Sequence, residues 1–157
     1  LHGETLIIPE AITDENTKLI IGTDGQKMSK SKNNIINIFL SDKQLKKQIM
    51  SIKTDSLPIE SIKNPNTCNV FKLYSLIGNE TQVKQMKENY ERGGYGYGEA
   101  KSQLFELILE TYSKQRNTYD YLMDNRCEID QILKEGSIRA KKIADQVIKR
   151  VKSKLGI

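Results

Sequence analysis

The rhythm of apolar positions changes once along this chain, near residue 40. Before that point Leu6-Ile7-Ile8 and Leu19-Ile20-Ile21 are short unbroken runs of branched residues, bounded by Pro9 and Gly22. Such runs predict buried strands or extended segments, although runs this short do not separate strand from helix. From Ser41 onward apolar residues recur at steps of three and four, the period of a helix with one face in a core. Leu45, Ile49 and Ile52 form the first stripe, with Ser41 and Gln44 at capping-box spacing ahead of it. Pro58 and Pro65, with Asn64 and Asn66, mark a loop. Val70, Phe71, Tyr74 and Ile77 carry the next stripe to Gly78, and Asn79 with Gln82 repeats the capping spacing before a helix ending near Gly93-Gly94. The longest helix is expected from about Gly98, through Leu104, Phe105, Ile108, Tyr112, Tyr119, Leu122 and Met123. Asn125 and Glu128 cap a short helix carrying Ile129, Ile132 and Leu133, closed by Gly136. Ser137 opens the last helix, with Ala140, Ile143, Ala144, Val147, Val151 and Leu155 expected to face inward. The pattern predicts a mainly α chain, a helical bundle over 41–157 with short connections and antiparallel neighbours.

Composition narrows the class. Hydrophobic residues make up 37% of the 157 and charged residues 29%, enough for one core and typical of a chain in water. No apolar run approaches the roughly 18 residues of a membrane span, so a membrane role is not expected. The net charge of +5 and isoelectric point near 9.1 favour an anionic partner, nucleic acid first. Cys68 and Cys127 stand far apart beside a single histidine, His2. They offer no metal-ligand spacing, and both are expected as buried thiols of a cytoplasmic protein, with no metal held by the chain itself.

Candidate chemistry concentrates in Lys27-Met28-Ser29-Lys30-Ser31, set behind Gly22-Thr23-Asp24-Gly25-Gln26 and followed by Lys32-Asn33-Asn34. Two ammonium groups alternate with hydroxyls on a glycine-bearing loop that can bend around a ligand. This is chemistry for holding a polyphosphate and neutralising charge as a phosphate bond breaks. Lysine suits the task as a compact charge on a long flexible stem.

The pentapeptide resembles the second signature of class I aminoacyl-tRNA synthetases. Its flanks, Asp24-Gly25-Gln26 and Asn33-Asn34, are similar to those of tryptophanyl-tRNA synthetases. Gly3-Glu4, Pro9-Glu10-Ala11, Thr54-Asp55-Ser56, Gly94-Tyr95-Gly96, Ala100-Lys101 and the run from Gly136-Ser137 to Lys142 fit the same family. Lys32 departs from it, standing where bacterial relatives often carry an aromatic or acidic residue. The resemblance implies that residues 1–40 are the last segment of a Rossmann-like α/β catalytic domain, and 41–157 a helical domain that contacts the tRNA anticodon region. The first class I signature, of His-Ile-Gly-His type, is absent and the chain begins with Leu1, so the sequence reads as the C-terminal half of a longer enzyme and is expected to be inactive alone. That enzyme would activate tryptophan with ATP and transfer it to tRNA(Trp), as a homodimer. Lys27 and Lys30 would be catalytic; Ile20, Met28, Ser29 and Ser31 would join them in binding ATP. Magnesium would ride on the ATP phosphates rather than sit in a protein cage.

Other candidates are weaker. Gly94-Tyr95-Gly96-Tyr97-Gly98 lacks the spacing of a phosphate loop and is followed by Glu99, which favours a tight reversal between helices. In the last helix Arg139, Lys141, Lys142, Lys149, Arg150, Lys152 and Lys154 oppose one acid, Asp145; of these Arg139, Lys141, Lys142, Lys149 and Arg150 are candidate contacts to tRNA phosphates, against the rival of a solvated basic face. Tyr74, Tyr112 and Tyr119 lie on apolar stripes and are expected in the core. His2, Asp14 and Glu15 have no setting that suggests chemistry. A tyrosyl-type synthetase, and a non-catalytic RNA-binding helical module, remain the alternative functions.

Overall fold

The computed structural model describes residues 5–12 and 19–157; His2, Gly3, Glu4, Asp14 and Glu15 lie outside them. The chain divides into two compact units, 13–117 and 1–12 with 118–157. Among the described residues six α-helices follow in order: α1 (Asp42–Met50), α2 (Asn69–Ser75), α3 (Glu80–Arg92), α4 (Tyr97–Thr111), α5 (Ser113–Asp124) and α6 (Arg126–Leu155). The mainly α character expected from the stripes is therefore what forms.

In the larger unit α4 packs against α1 and α2, and α2 against α3. Leu45 and Ile49 of α1, Val70 and Phe71 of α2, Met86 and Tyr90 of α3, and Leu104 and Ile108 of α4 fill a single core. Each large side chain removed from water there contributes roughly 1.5–3 kcal/mol. Tyr74 is buried as expected, whereas Tyr112 is half-buried and Tyr119 is 38% exposed. Burial raises the hydroxyl pKa of Tyr90, with Cys68 as a second cause at 3.3 Å. Cys68 is buried; Cys127, on α6, is exposed, contrary to the expectation for both.

The helix starts differ in how they are capped. Asn79 and Gln82 form a complete capping box, each side chain taking the other's backbone N–H. Ser41 does not: its hydroxyl donates to Gln44 Oε1, so side chain meets side chain and the first-turn amides gain nothing from either. The glycine–tyrosine run forms the expected reversal. Gly93 and Gly94 both have positive φ, and Gly94 N–H donates to the Ile59 carbonyl before α4 begins. Tyr95 and Tyr97 pack by their rings on Tyr90.

Three expectations about the later helices change. The helix expected to run from Gly98 to Met123 is interrupted at Tyr112, where Arg116 turns back to the carbonyls of Ile38 and Leu40 and to Asp42. The expected break at Gly136 does not occur, and α6 runs through it for 30 residues. Nothing lies within 4 Å of where a Cβ would stand on Gly136, so the residue neither caps nor packs. The stripe of α6 does not face a core: none of its residues is buried, and Ile143 is 65% exposed.

The two early apolar runs are not buried strands either. Leu6, Ile7 and Ile8 are 66%, 89% and 89% exposed, and among the described residues the only pairing near the second run is an isolated bridge, Ile21 to Lys27. A strand needs a neighbour to satisfy its ladder, and the described residues supply none.

Candidate active-site loop

Residues 20–34 close into one hydrogen-bonded loop. Met28 N–H donates to the Ile20 carbonyl at 2.9 Å, and Gly22 N–H to the Gln26 carbonyl at 2.7 Å. Gly25 takes a φ of 81°, and a Cβ there would meet the Asn69 amide at 2.7 Å. Lys30–Lys32 form a short 3-10 turn, and Asn33 follows in the left-handed conformation at φ 52°. Asparagine tolerates that region better than most residues.

The turn decides what each group of the pentapeptide can offer. The amides of Met28, Ser29, Lys32 and Asn33 are used within the loop. Those of Lys30 and Ser31 lead the turn and have no acceptor inside it. The Ser29 and Ser31 hydroxyls lie 2.9 Å apart. Lys27, Lys30 and Lys32 are exposed, and none is held in an ion pair among the described residues. Met28 is half-buried and lines, with Ile20, Ile36, Leu73, Leu104 and Ile108, an apolar cleft of about 230 Å³. The Ile20 carbonyl is occupied by Met28, so its N–H and side chain are what it has for a ligand.

Asp24 is the loop's one acid. Its Oδ1 accepts from Asn34 Nδ2 at 2.7 Å and from Gln26 N–H at 2.9 Å. Those two bonds, Asn34 first, hold its carboxyl below the ordinary carboxylate range. In the sequence Asn34 stands out only as a flank. In the fold it is 2% exposed and the most connected side chain of the loop.

The loop is tied to the helices behind it. Lys53 N–H donates to the Thr23 carbonyl at 2.7 Å, and Asn69 Nδ2 to the Lys53 carbonyl at 2.9 Å. The adjoining Asp55 accepts from the Tyr97 hydroxyl at 2.6 Å. Lys63, in sequence terms part of a polar loop, is 1% exposed; its ammonium donates to the carbonyls of Pro58, Ile59 and Ser61, each at 3.0 Å. It also stands 5.4 Å from the centre of the Tyr97 ring. Lys101 donates to the Met50 carbonyl at the C-terminal end of α1, where a cation is favoured; burial lowers its pKa.

The basic candidates on α6 differ among themselves. Lys141 is paired with Asp145 at 3.0 Å, and Arg150 Nε donates to the Thr5 carbonyl at 2.9 Å. Arg139, Lys142 and Lys149 are exposed and carry no ion pair among the described residues. Their spacing of three and seven places them on one side of the helix. No group of three His, Cys, Asp or Glu among the described residues could hold a metal ion, and no helix is long and apolar enough to cross a membrane.

A doubly cationic loop of this build, ahead of a helical unit, is the hallmark of one class of enzyme, and the chain belongs to it. The model of the family described as "tRNA synthetases class I (W and Y)" matches residues 2–113. Within that class the similar proteins include tryptophan–tRNA ligases. That of Campylobacter jejuni strain RM1221 is 41% identical over 155 residues, which are 99% of this chain and 49% of that protein. That of Fusobacterium nucleatum is 41% identical over 150 residues, 96% of this chain and 46% of the relative. A crystal structure of the C. jejuni tryptophanyl-tRNA synthetase, complexed with ADP and tryptophan, superposes with a TM-score of 0.85 at 41% identity, covering 99% of this chain and 49% of that one. The chain thus spans about half the length of the relatives it matches.

Proposed function

We propose that this chain is part of a tryptophan–tRNA ligase and supplies the cationic half of its ATP site. In that reaction the tryptophan carboxylate attacks the α-phosphorus of ATP and the bond to pyrophosphate breaks; a hydroxyl at the tRNA(Trp) 3′ end then attacks the carbonyl of the adenylate, taking the tryptophanyl group as an ester and releasing AMP. Negative charge grows on the leaving pyrophosphate. Lys27 and Lys30 neutralise it, the Ser29 and Ser31 hydroxyls with the Lys30 and Ser31 amides orient the phosphates, and Met28 in its apolar cleft anchors the loop. Ile20 borders the adenine. Magnesium accompanies the phosphates. The observation that carries this reading is that Lys27 and Lys30 are exposed, with no ion pair among the described residues, on a loop braced by the hydrogen bonds of Asn34 to Asp24, Lys27 and Ser29.

The same reading takes 1–40 as the end of a Rossmann-like catalytic domain and 41–157 as the tRNA-binding part of a homodimeric, cytoplasmic enzyme. The tyrosyl alternative is disfavoured because the relatives at 41% identity are tryptophan ligases. Pyrophosphate exchange by the full-length protein tests the assignment. Exchange driven by tryptophan is expected; exchange driven by tyrosine, or none with either amino acid, overturns it.

For tRNA, Arg139, Lys142 and Lys149 are the stronger candidates, since Lys141 and Arg150 already have protein partners. Replacing Lys142 and Lys149 together by alanine should weaken tRNA binding and flatten its log–log dependence on salt. The slope should change by about 0.7–0.9 for each phosphate that is no longer neutralised. An unchanged slope in a filter-binding titration would leave this face as solvated surface.

A further inference from the structure

We propose that Asn34 is the positioning residue of the cationic loop, setting the spacing of Lys27 and Lys30 and keeping the Asp24 carboxylate away from both. The inference rests on the reading of the loop as an ATP clamp and adds a residue to it. Asn34 lies outside the pentapeptide and would touch no substrate. Its side chain nevertheless spans the loop. Nδ2 donates to Asp24 Oδ1 at 2.7 Å and to the Lys27 carbonyl at 3.1 Å, while Oδ1 accepts from Ser29 N–H at 2.8 Å. The last two bonds grip the peptide groups on either side of Met28. Its own carbonyl accepts from Thr23 N–H at 2.9 Å, closing the opposite edge. Asn34 itself is 2% exposed, so its own end of each bond is shielded from water.

The backbone around Asn34 is shaped to admit it. A Cβ on Gly22 would lie 2.3 Å from the Asn34 carbonyl oxygen and 2.5 Å from its Cγ, so only glycine leaves the space. The left-handed turn at Asn33 is the step between the exposed 3-10 turn and the buried Asn34. The electrostatic consequence concerns Asp24. A carboxylate within the same loop as Lys27 and Lys30 is a natural ion-pair partner for either, and such a pair would cancel charge meant for pyrophosphate. Asn34 gives that oxygen a neutral donor instead, and neither Lys27 nor Lys30 forms an ion pair with it.

The chemistry of the amide makes the role specific. Only a group that donates on one side and accepts on the other satisfies Asp24, Lys27 and Ser29 together. Aspartate is nearly the same size but cannot donate when ionised, and would face Asp24 as a second negative charge. Exchanging the two residues restores one donor–acceptor pair, with an amide at position 24 donating to a carboxylate at position 34.

Tryptophan-dependent pyrophosphate exchange in the full-length protein, with kcat and KM separated, decides the matter. Asn34→Ala should lower kcat by about 10²-fold with the KM for tryptophan unchanged, the cost of a catalytic group displaced by about 1 Å. Asn34→Asp should be at least as slow, and the exchange variant D24N/N34D should recover part of the loss. Wild-type kcat in Asn34→Ala overturns the inference and leaves the ligase assignment standing. So does an Asn34→Asp defect that D24N/N34D does not relieve, which also decides the case if Asn34→Ala fails to fold. Absence of exchange in the wild-type protein overturns the underlying reading instead.

Discussion

Lys30→Ala in the full-length protein should slow adenylate formation by roughly 10²–10³, the range found when one preorganised charge-stabilising group is removed. Tryptophan affinity should hardly move, because the loss falls on a charge that appears only as the bond to pyrophosphate breaks. Three observations make the expectation sharp. Lys30 opens the 3-10 turn, so its backbone position is set by Ser29 and by the N–H that Asn33 donates to its carbonyl at 3.1 Å. Its ammonium has no ion-pair partner among the described residues, so the truncation breaks no native ion pair there. Its side chain is exposed, so the truncation leaves no cavity. The defect should therefore be almost wholly kinetic. Lys30→Arg should restore only part of the rate, because a planar fork replaces a point charge on a loop built for the latter. Single-turnover adenylation with equilibrium tryptophan binding measures both arms. Wild-type exchange in Lys30→Ala would remove the role assigned to this residue.

What can be read from the sequence follows from where the information resides. The cationic loop is legible because residue type and spacing alone carry its chemistry. The core of α1 to α4 is legible because Leu45, Ile49, Val70, Phe71, Leu104 and Ile108 recur at helical steps and meet one another. The stripe on α6 has the same periodicity and yet buries nothing, since periodicity describes a face and not what covers it. Gly136 resembles a helix end because glycine usually is one; with regular backbone and no neighbour, it passes unnoticed inside α6. Asn34 is visible in the sequence only as a flanking asparagine. Its bonds reach five, seven and ten residues back, and loop closure alone brings those partners together. The Ser41 spacing shows the reverse case, in which correct residue types choose each other over the backbone.

Lys63 is the least legible residue of all, and its replacement should produce the largest loss of local stability. A lysine among prolines and asparagines reads as surface charge. Here the turn from Pro58 to Ser61 aims three carbonyls inward, and the ammonium matches them with its three donors. The Tyr97 ring lies close by, and the Lys63 N–H itself donates to the Tyr90 carbonyl at 2.9 Å, joining this loop to the end of α3. Lys63→Met keeps the length and apolar stem but strands three carbonyls around a side chain that is 1% exposed. Removing the cation from such a cluster should cost about 3 kcal/mol, even after the desolvation it no longer suffers is counted in its favour. The loss should be local, loosening 58–63 and the reversal at Gly93-Gly94 that bonds to Ile59, and with them the Tyr97–Asp55 hydrogen bond. Hydrogen exchange on the full-length protein reads this directly: the amides of Lys63 and Gly94 should exchange roughly 10²-fold faster, the equivalent of about 3 kcal/mol, while those of Leu45 and Ile49 in α1 keep their protection. Lys63→Arg should fall between, since a rigid fork satisfies fewer of three converging acceptors. Unaltered protection at Lys63 and Gly94 in Lys63→Met would mean that the carbonyls find other donors and that the buried ammonium holds nothing in place.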